Sequence, residues 1–286
     1  MKVIGILLGK QCLFIDIEGT LLTSLEHAEV FDDVPELLEF CKKRKIKVFF
    51  TTNVGRLSRM QIVNILKSCN IRAETDQILN PTRIALEVLR EIYLEKKKRL
   101  RVFLIGEYQH MDFAQIPWIE FTHNSPIDIV LLGASRDVTY QQLNFAFKVL
   151  RNGAKLIVIG GDIWAIGRKY DKDDIYLVEG AFAKMLEYAT NVKAIYTGKQ
   201  FPTFFEYALK IAKVSKDKVL LIDDSTRYIS GANSFGIDAL YLARTREKLE
   251  KISQIRRTTN SMIFIAKSLS INEDVMILKN NDQIFN

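Results

Sequence analysis

Cysteine and histidine are scarce in this chain of 286 residues. The three cysteines, Cys12, Cys41 and Cys69, are odd in number and show no Cys-x-x-Cys spacing. This argues against a disulfide framework and against a zinc site, and it favours a reducing compartment. The three histidines, at positions 27, 110 and 123, are too scattered to indicate a histidine metal cluster. We therefore expect neither a disulfide scaffold nor a zinc protein.

Long apolar runs are also absent, and none reaches the length that spans a bilayer. The N-terminal MKVIGILLGK has one early lysine and is too short for a signal-peptide core with a cleavage site. Hydrophobic residues make up 48% and charged residues 26%, the balance of a globular protein. We expect a cytoplasmic protein without membrane attachment, large enough to fold on its own core.

The formal net charge is +7, which raises the question of nucleic-acid binding. Basic residues concentrate at 42–45 and 96–99, at the ends of predicted helices, where cations complement the helix dipole and face water. No aromatic residues are interleaved there for stacking on bases. We therefore do not expect a nucleic-acid partner and keep that role as a weaker hypothesis. The charge would raise the encounter rate with anionic substrates.

Short apolar segments alternate with amphipathic ones along most of the chain. Strands are predicted at 12–16, 47–51, 101–105, 128–132, 155–159, 194–196, 219–222 and 237–242. Helices are predicted at 34–41, 58–69, 140–151, 181–189 and 204–214. Such alternation indicates an α/β fold, a parallel sheet with helices on both faces. From about residue 250 we expect one last strand and a helix.

Polar residues follow four of these predicted strands. They are DIEGT at 16–20, TTN at 51–53, GK at 198–199 and DDS at 223–225. Each alone has an ordinary interpretation, as a strand-end turn, a cap, a surface pair or a helix N-cap. Ligands of a parallel sheet bind beyond the carboxyl ends of its strands, so these groups are expected to converge. Carboxylates, hydroxyls and a lysine together indicate a site for phosphate and Mg²⁺.

In order and position, these segments resemble the four motifs of the haloacid dehalogenase (HAD) superfamily. The long interval between the second and third motifs resembles subclass IIA, the nitrophenylphosphatase-like branch, which carries a cap domain there. NPT at 80–82, GA at 180–181 and 231–232, and GI at 236–237 extend the resemblance. It implies a three-layer Rossmann-like HAD core, residues 1–80 and 181–286, with an inserted α/β (C2-type) cap at 81–180.

The resemblance also assigns roles, for Mg²⁺-dependent hydrolysis of a small phosphomonoester. Asp16 would be the nucleophile and would form an aspartyl-phosphate. Glu18 stands where the family has the aspartate that acts as general acid and base. Asp16, Asp224 and the backbone carbonyl of Glu18 would hold Mg²⁺, with Asp223 completing an adjacent acidic pair.

Substrate-binding residues follow from the same resemblance. Thr52 and Lys199 would hold the phosphoryl oxygens, with Asn53 nearby, and Gly19 would allow the sharp turn beside them. Asp162, in the Gly-Gly-Asp segment that follows a predicted strand, resembles the subclass loop that reaches toward the leaving group. An ordinary glycine turn with a capping aspartate stays open as its alternative. The expected partner is a small phosphorylated metabolite, and a homodimer is left open.

Two positions depart from the family pattern. Glu18 replaces the usual aspartate and displaces the carboxyl group by one methylene. Tyr228 stands where many members have a further aspartate, although the adjacent pair Asp223 and Asp224 fits a variant that the superfamily tolerates. The first departure motivates an alternative function: a catalytically impaired HAD-fold protein that binds a phospho-ligand or serves as an interaction partner.

Overall fold

A computed structural model of the chain describes residues 1–106, 110–113, 116–167, 174–257 and 259–278. Its strands are β1 (Cys12–Asp16), β2 (Lys47–Thr51), β3 (Ile78–Leu79), β4 (Leu100–Ile105), β5 (Ile119–Phe121), β6 (Ile129–Leu132), β7 (Lys155–Val158), β8 (Trp164–Gly167), β9 (Asp174–Leu177), β10 (Ile195–Tyr196), β11 (Val219–Asp223), β12 (Asp238–Leu242), β13 (Ile263–Ala266) and β14 (Met276–Leu278). Its α-helices are α1 (Val3–Leu7), α2 (Val34–Lys43), α3 (Arg59–Ser68), α4 (Pro81–Lys96), α5 (His110–Phe113), α6 (Tyr140–Arg151), α7 (Glu179–Thr190), α8 (Pro202–Ala212), α9 (Thr226–Phe235) and α10 (Arg246–Glu250).

The chain forms two compact units, each built from separate segments. The first unit comprises Met1–Thr52, Ile62–Leu79 and Phe205–Asn286, and the second comprises Asn53–Gln61 and Asn80–Phe204. The second unit thus includes α7 and β10. The sequence analysis placed the segment from residue 181 onward in the core domain. The predicted core and cap boundaries stay a prediction.

A seven-stranded sheet forms the centre of the first unit, in the order β14-β13-β12-β11-β1-β2-β3. All its pairings are parallel except that of β13 with β14. From β1 the chain runs outward through β2 and β3, and from β11 it runs outward in the other direction. The strand order therefore reverses between β1 and β11, which is where a ligand crevice is expected in such sheets.

The two strands beside this reversal are buried along their whole length. Every residue of β1 and of β11 is buried, as is typical of parallel strands covered on both faces. Helix α9 packs against β11 and β12, and α2 packs against β2. Because a full sheet and its helices surround them, the ends of β1 and β11 are held in fixed positions.

The second unit has a five-stranded parallel sheet, in the order β10-β7-β6-β4-β5, and an antiparallel pair, β8 with β9. Helices α6 and α7 pack on each other and on strands β6 and β7. Their apolar side chains form one buried cluster with the sheet, which includes Phe103, Val130, Leu150 and Leu156. The unit has its own hydrophobic core.

Local signals explain where the main helices begin. Thr139 caps α6, since its hydroxyl accepts from the Gln142 N–H while the Gln142 side chain returns to the Thr139 N–H. Asn80 caps α4 in a similar way, with Pro81 in the first turn where no N–H is needed. Helix α6 has the predicted bounds, whereas α4 was predicted only as a turn.

The α/β prediction with parallel sheets is confirmed, with one difference near the C-terminus. Over residues 251–257 and 259–278 the chain forms two strands, β13 and β14, and no α-helix. The predicted final helix is therefore wrong over these residues, and residues 279–286 lie outside the described part of the chain. Within the described ranges, no helix combines the length and the apolar character needed to cross a membrane.

Candidate active site

Three carboxylates meet at the carboxyl ends of β1 and β11 in the first unit. Asp16 ends β1, Asp223 ends β11, and Asp224 follows directly. One carboxylate oxygen from each lies within 4.8 Å of the oxygens from the other two. Because β1 and β11 are adjacent parallel strands, their carboxyl ends lie at the same edge of the sheet. The structure thus brings together three of the residues predicted for the metal.

The burial and chemistry of these groups suit a hard cation. Asp223 is fully buried and Asp16 is 5% exposed, and removing carboxylates from water is costly unless a cation or hydrogen bonds compensate. Ser225 supplies one such hydrogen bond, since its N–H donates to Asp223 Oδ1 over 2.9 Å. Mg²⁺ prefers oxygen ligands at about 2.0–2.1 Å, and three carboxylate oxygens at this spacing can share one ion. The donor set therefore fits Mg²⁺.

Gly19 brings the loop after β1 against these carboxylates. Its φ of +79° lies in the left-handed region, and a Cβ at this position would clash with the Asp224 carboxylate. The Gly19 N–H donates to the carbonyl of Leu22 over 2.7 Å, which closes the turn. Both its backbone angle and its lack of a side chain are thus required where the loop passes Asp224.

Glu18 lies on this loop with its side chain directed at the backbone that follows. Its Oε1 accepts from the Leu25 N–H over 3.2 Å. The Glu18 carboxyl is not one of the three grouped carboxylates. Its predicted metal ligand is the backbone carbonyl, and that assignment stays a prediction, as does its role as the general acid.

Thr52 follows β2, the other neighbour of β1. Thr51 is the register partner of Asp16, so the end of β2 lies beside Asp16. Thr52 is 2% exposed, and its N–H donates to the carbonyl of Leu79 over 3.1 Å. The hydroxyl of Thr51, also buried, has no hydrogen-bond partner within the described part of the chain. It is a polar group that sequence reasoning did not select.

The remaining predicted residues form a second network, within the second unit. The Lys199 N–H donates to Asn53 Oδ1 over 3.2 Å, and Lys199 is fully buried. Asn53 donates from Nδ2 to Asp162 Oδ2 over 2.7 Å. The amide of Gln200 donates to the other oxygen, Asp162 Oδ1, over 3.3 Å. Asn53 thereby connects the loop of Lys199 to the loop of Asp162 through both ends of its amide.

Glycines allow these two loops to approach closely. The Gly198 N–H donates to the carbonyl of Gly160 over 2.9 Å. A Cβ on Gly198 would lie 2.6 Å from that carbonyl oxygen and 3.0 Å from Asn53 Oδ1. Gly160 and Gly161 have φ values of +104° and +127°, which side chains disfavour. The Gly-Gly-Asp segment is therefore more constrained than an ordinary turn.

A further acid, Glu179, belongs to this network and was not predicted. It is 6% exposed at the start of α7, and its Oε1 accepts from the Gly161 N–H over 2.9 Å. Burial raises its pKa to about 7; the Gly161 bond opposes this rise, and the negative charge of Asp162 adds to it. No sequence motif marks Glu179, since its partners lie in a distant loop.

Lys248 is a further residue that sequence reasoning missed. It lies on α10, and its Nζ is 3.0 Å from Asp224 Oδ2. No motif marks it, because the contact joins α10 to the residue that follows β11.

The predicted site residues thus form two groups, one in each unit. Asp16, Glu18, Gly19, Thr52, Asp223 and Asp224 belong to the first unit, and Asn53, Asp162 and Lys199 belong to the second. Within each unit the structure brings together residues from distant parts of the sequence. The convergence of both groups on one phosphoryl group stays a prediction.

Comparison with known proteins gives the same family as the motifs. A family model described as haloacid dehalogenase-like hydrolase matches residues 13–115. The human phospholysine phosphohistidine inorganic pyrophosphate phosphatase is 29% identical over 238 residues, 82% of this chain and 83% of that protein. The mouse haloacid dehalogenase-like hydrolase domain-containing protein 2 is 29% identical over 230 residues, 79% and 82% of the two chains.

Solved structures agree with the predicted fold. A mutant of the thermostable p-nitrophenylphosphatase from Bacillus stearothermophilus is 25% identical, with a TM-score of 0.73 over 94% of this chain and 98% of that one. The p-nitrophenyl phosphatase from Archaeoglobus fulgidus has a TM-score of 0.77 over 92% and 97% of the chains, at 19% identity, and shows the fold alone. The predicted Rossmann-like core with a cap, and the nitrophenylphosphatase-like resemblance, are confirmed. Residues 13–115 thus match a haloacid dehalogenase-like hydrolase family, and the two relatives named above are similar to 79–82% of this chain.

Proposed function

We propose that this protein is a Mg²⁺-dependent phosphatase that hydrolyses a small phosphomonoester through an aspartyl-phosphate on Asp16. The observation that carries the proposal is the group of three carboxylates at the crevice between β1 and β11. Relatives named as phosphatases support the reaction type. The substrate class, the intermediate and the metal are inferences from the residues.

Asp16, Asp223 and Asp224, with the backbone carbonyl of Glu18, are the residues that would hold the metal. When bound, Mg²⁺ would supply positive charge that offsets the charge of the phosphoryl group. The chain contributes a fixed arrangement of ligands, since Asp16 and Asp223 sit at the ends of fully buried strands. Such preorganisation supports catalysis by positioning and by electrostatics.

Asp16 is the proposed nucleophile. Its carboxylate oxygen attacks phosphorus, the bond from phosphorus to the ester oxygen breaks, and the leaving oxygen takes a proton from the Glu18 carboxyl. Water then gives a proton to the Glu18 carboxylate and attacks phosphorus, and the bond from phosphorus to the Asp16 oxygen breaks. Inorganic phosphate leaves and Asp16 is regenerated. Thr52 and Lys199 are proposed to hold the phosphoryl oxygens.

The second unit is proposed to select the substrate. Asp162 is already bound by Asn53 and Gln200, so its carboxylate is held in one orientation. A fixed acceptor of this kind suits the hydroxyl groups of a small phosphorylated metabolite. Asn53 acts in this scheme as a positioning residue, which connects Asp162 to the backbone of Lys199. A cytoplasmic location and a homodimer stay predictions.

Substitution of Asp16 tests the proposal. Asp16→Asn keeps the shape of the side chain but removes the nucleophile, so turnover of p-nitrophenyl phosphate should fall at least about a thousandfold. The matched control is Asp217→Asn, which removes a carboxylate from an exposed turn of the same unit. Undiminished turnover by the Asp16 variant, with unchanged unfolding temperature, would place the chemistry elsewhere.

The position of Glu18 favours a second candidate function, a catalytically impaired binder of phospho-ligands. Its carboxyl is engaged by the Leu25 N–H and stands outside the group of three carboxylates. In the same assay, the native chain should be inert and Glu18→Asp active if this alternative holds. Turnover by the native chain rejects it.

A further inference from the structure

Lys248 places a positive charge directly on one of the proposed metal ligands. Its Nζ lies 3.0 Å from Asp224 Oδ2 and 3.1 Å from the backbone carbonyl of Asp224. The Asp224 side chain is 17% exposed and that of Lys248 is 31% exposed. The pair is therefore partly shielded from water, and its charges interact more strongly than those of a surface pair.

The backbone around Lys248 is fixed from two sides. Its N–H donates to the hydroxyl of Thr245, the N-cap of α10, over 3.2 Å. Its carbonyl accepts from the hydroxyl of Tyr241 over 2.8 Å. Burial and the charges of Asp224 and Asp223 raise the pKa of Tyr241 to about 12, so its phenol stays a donor at neutral pH. Lys248 is held toward Asp224 and does not sample the surface freely.

Neighbouring cations on the same segment have different partners. Arg244 binds both oxygens of Asp33, each over 2.8 Å, and the carbonyl of Thr20 over 3.0 Å. Lys251 pairs with Glu247 over 2.6 Å on the exposed face. The contacts of Arg244 join distant segments of the chain, and the pair of Lys251 with Glu247 lies on the surface. Lys248 alone of these three cations contacts a carboxylate of the candidate metal site.

We propose that Lys248 is a built-in counter-ion of the metal site, which holds Asp224 in place before a divalent cation binds and competes with that cation for the carboxylate. This inference rests on the metal site of the proposed function. A bound Mg²⁺ and the ammonium group repel each other across a few ångströms, so the cation must displace Lys248 from Asp224 or bind against its charge. Lys248 thereby sets the Mg²⁺ concentration at which the site fills.

The proposal predicts that removing the charge of Lys248 strengthens Mg²⁺ binding and lowers the stability of the metal-free protein. In Lys248→Met, Mg²⁺ should bind about tenfold more tightly, because one positive charge near a doubly charged ion is removed. The same variant should unfold at a lower temperature in EDTA, since Asp224 loses its ion-pair partner beside two further carboxylates. Saturating Mg²⁺ should largely abolish this difference. A residue with a merely structural role would not tighten metal binding.

The experiment uses the full chain and Mg²⁺ alone, titrated by isothermal calorimetry, with thermal unfolding in EDTA and in excess Mg²⁺. Lys251→Met, which removes the same charge from a surface pair, should bind Mg²⁺ like the native chain. Lys248→Arg keeps the charge and should also retain native affinity. Lys248→Gln, a smaller and polar replacement, should also bind Mg²⁺ more tightly than the native chain. It provides a second test if Lys248→Met folds poorly.

Two results would overturn the proposal, and they are distinguishable. If the native chain binds Mg²⁺ and the neutral variants bind it equally or more weakly, Lys248 does not compete, while the phosphatase proposal stands. If neither the native chain nor any variant binds Mg²⁺, the metal site itself is wrong and the role of Lys248 falls with it.

Discussion

Each unit contains a cluster of acids, and the two clusters are compensated in different ways. In the first unit, Asp224 meets the ammonium group of Lys248 beside two further carboxylates. In the second unit, Asp162 accepts from the neutral amides of Asn53 and Gln200, and Glu179 accepts from a backbone N–H. A cation offsets charge, whereas neutral donors only solvate it.

This difference indicates what each cluster is suited to do. A group of carboxylates beside a displaceable ammonium is suited to exchange one cation for another. Acids that are held by amides and a glycine backbone are suited to fix the path of two loops. The raised pKa of Glu179, about 7, is the consequence of its burial, to which the negative charge of Asp162 adds. The first cluster is proposed for chemistry and the second for positioning.

Gly19→Ala should have the largest effect, because it breaks the first cluster by steric exclusion. A Cβ would clash with the Asp224 carboxylate, and a displacement of about 1 Å in a site costs about a hundredfold in rate. We expect kcat/KM for p-nitrophenyl phosphate to fall by at least that factor, with weaker Mg²⁺ binding in calorimetry. Gly153→Ala is the control: its φ is +95°, but nothing lies within 4 Å of the added Cβ. If both variants keep native activity, the loop does not need Gly19 at that place.

Asn53→Asp would add a negative charge to the second cluster, directly beside Asp162. The new carboxylate would replace a donor that lies 2.7 Å from Asp162, so we expect about a 10- to 100-fold loss in kcat/KM and about 1–3 kcal/mol in stability. Steady-state kinetics and urea unfolding measure these. Gln200→Glu adds the same charge at a longer contact of 3.3 Å with Asp162, so the losses in kcat/KM and in stability should be smaller. Equal losses, or none, would contradict the positioning role of Asn53.

Glu179→Gln should have the smallest effect, visible in the pH dependence of stability. Because the folded pKa is about 7 against an ordinary 4.5, the native state holds an extra proton between these values. The free energy of unfolding therefore falls as pH rises from about 4.5 to about 7. The glutamine variant lacks this slope and should be more stable above pH 7 by about 1–3 kcal/mol. Urea unfolding at several pH values checks it, and an unchanged slope would contradict the prediction.

The sequence predicted most of the fold because its signals are local. Strand β1 and helix α6 have the predicted bounds: β1 is a continuous apolar run and α6 begins with a capping box. Helix α4 was missed although Asn80 and Pro81 mark its start. The boundary between units depends on pairings such as that of β10 with β7, which local patterns do not encode.

The candidate site was predictable only in part, for a related reason. The rule that parallel strands end at one edge of a sheet was enough to group Asp16 with Asp223 and Asp224. The partners of each side chain depend on loop conformation, so Lys248 on Asp224 and Glu179 on Gly161 had no signal in the sequence. The phosphatase reaction came from the resemblance of the motifs and not from the geometry.

The central pairing of the first unit joins early and late parts of the chain, with Cys12 opposite Val219 in β1 and β11. During synthesis the ribosome therefore completes the second unit before the strand that carries Asp223 is made. A nascent chain would hold Asp16 without the acids beside it, and would complete the proposed metal site only in its last stage of growth. Any product that ends before β11 would lack Asp223 and Asp224, two of the three grouped carboxylates.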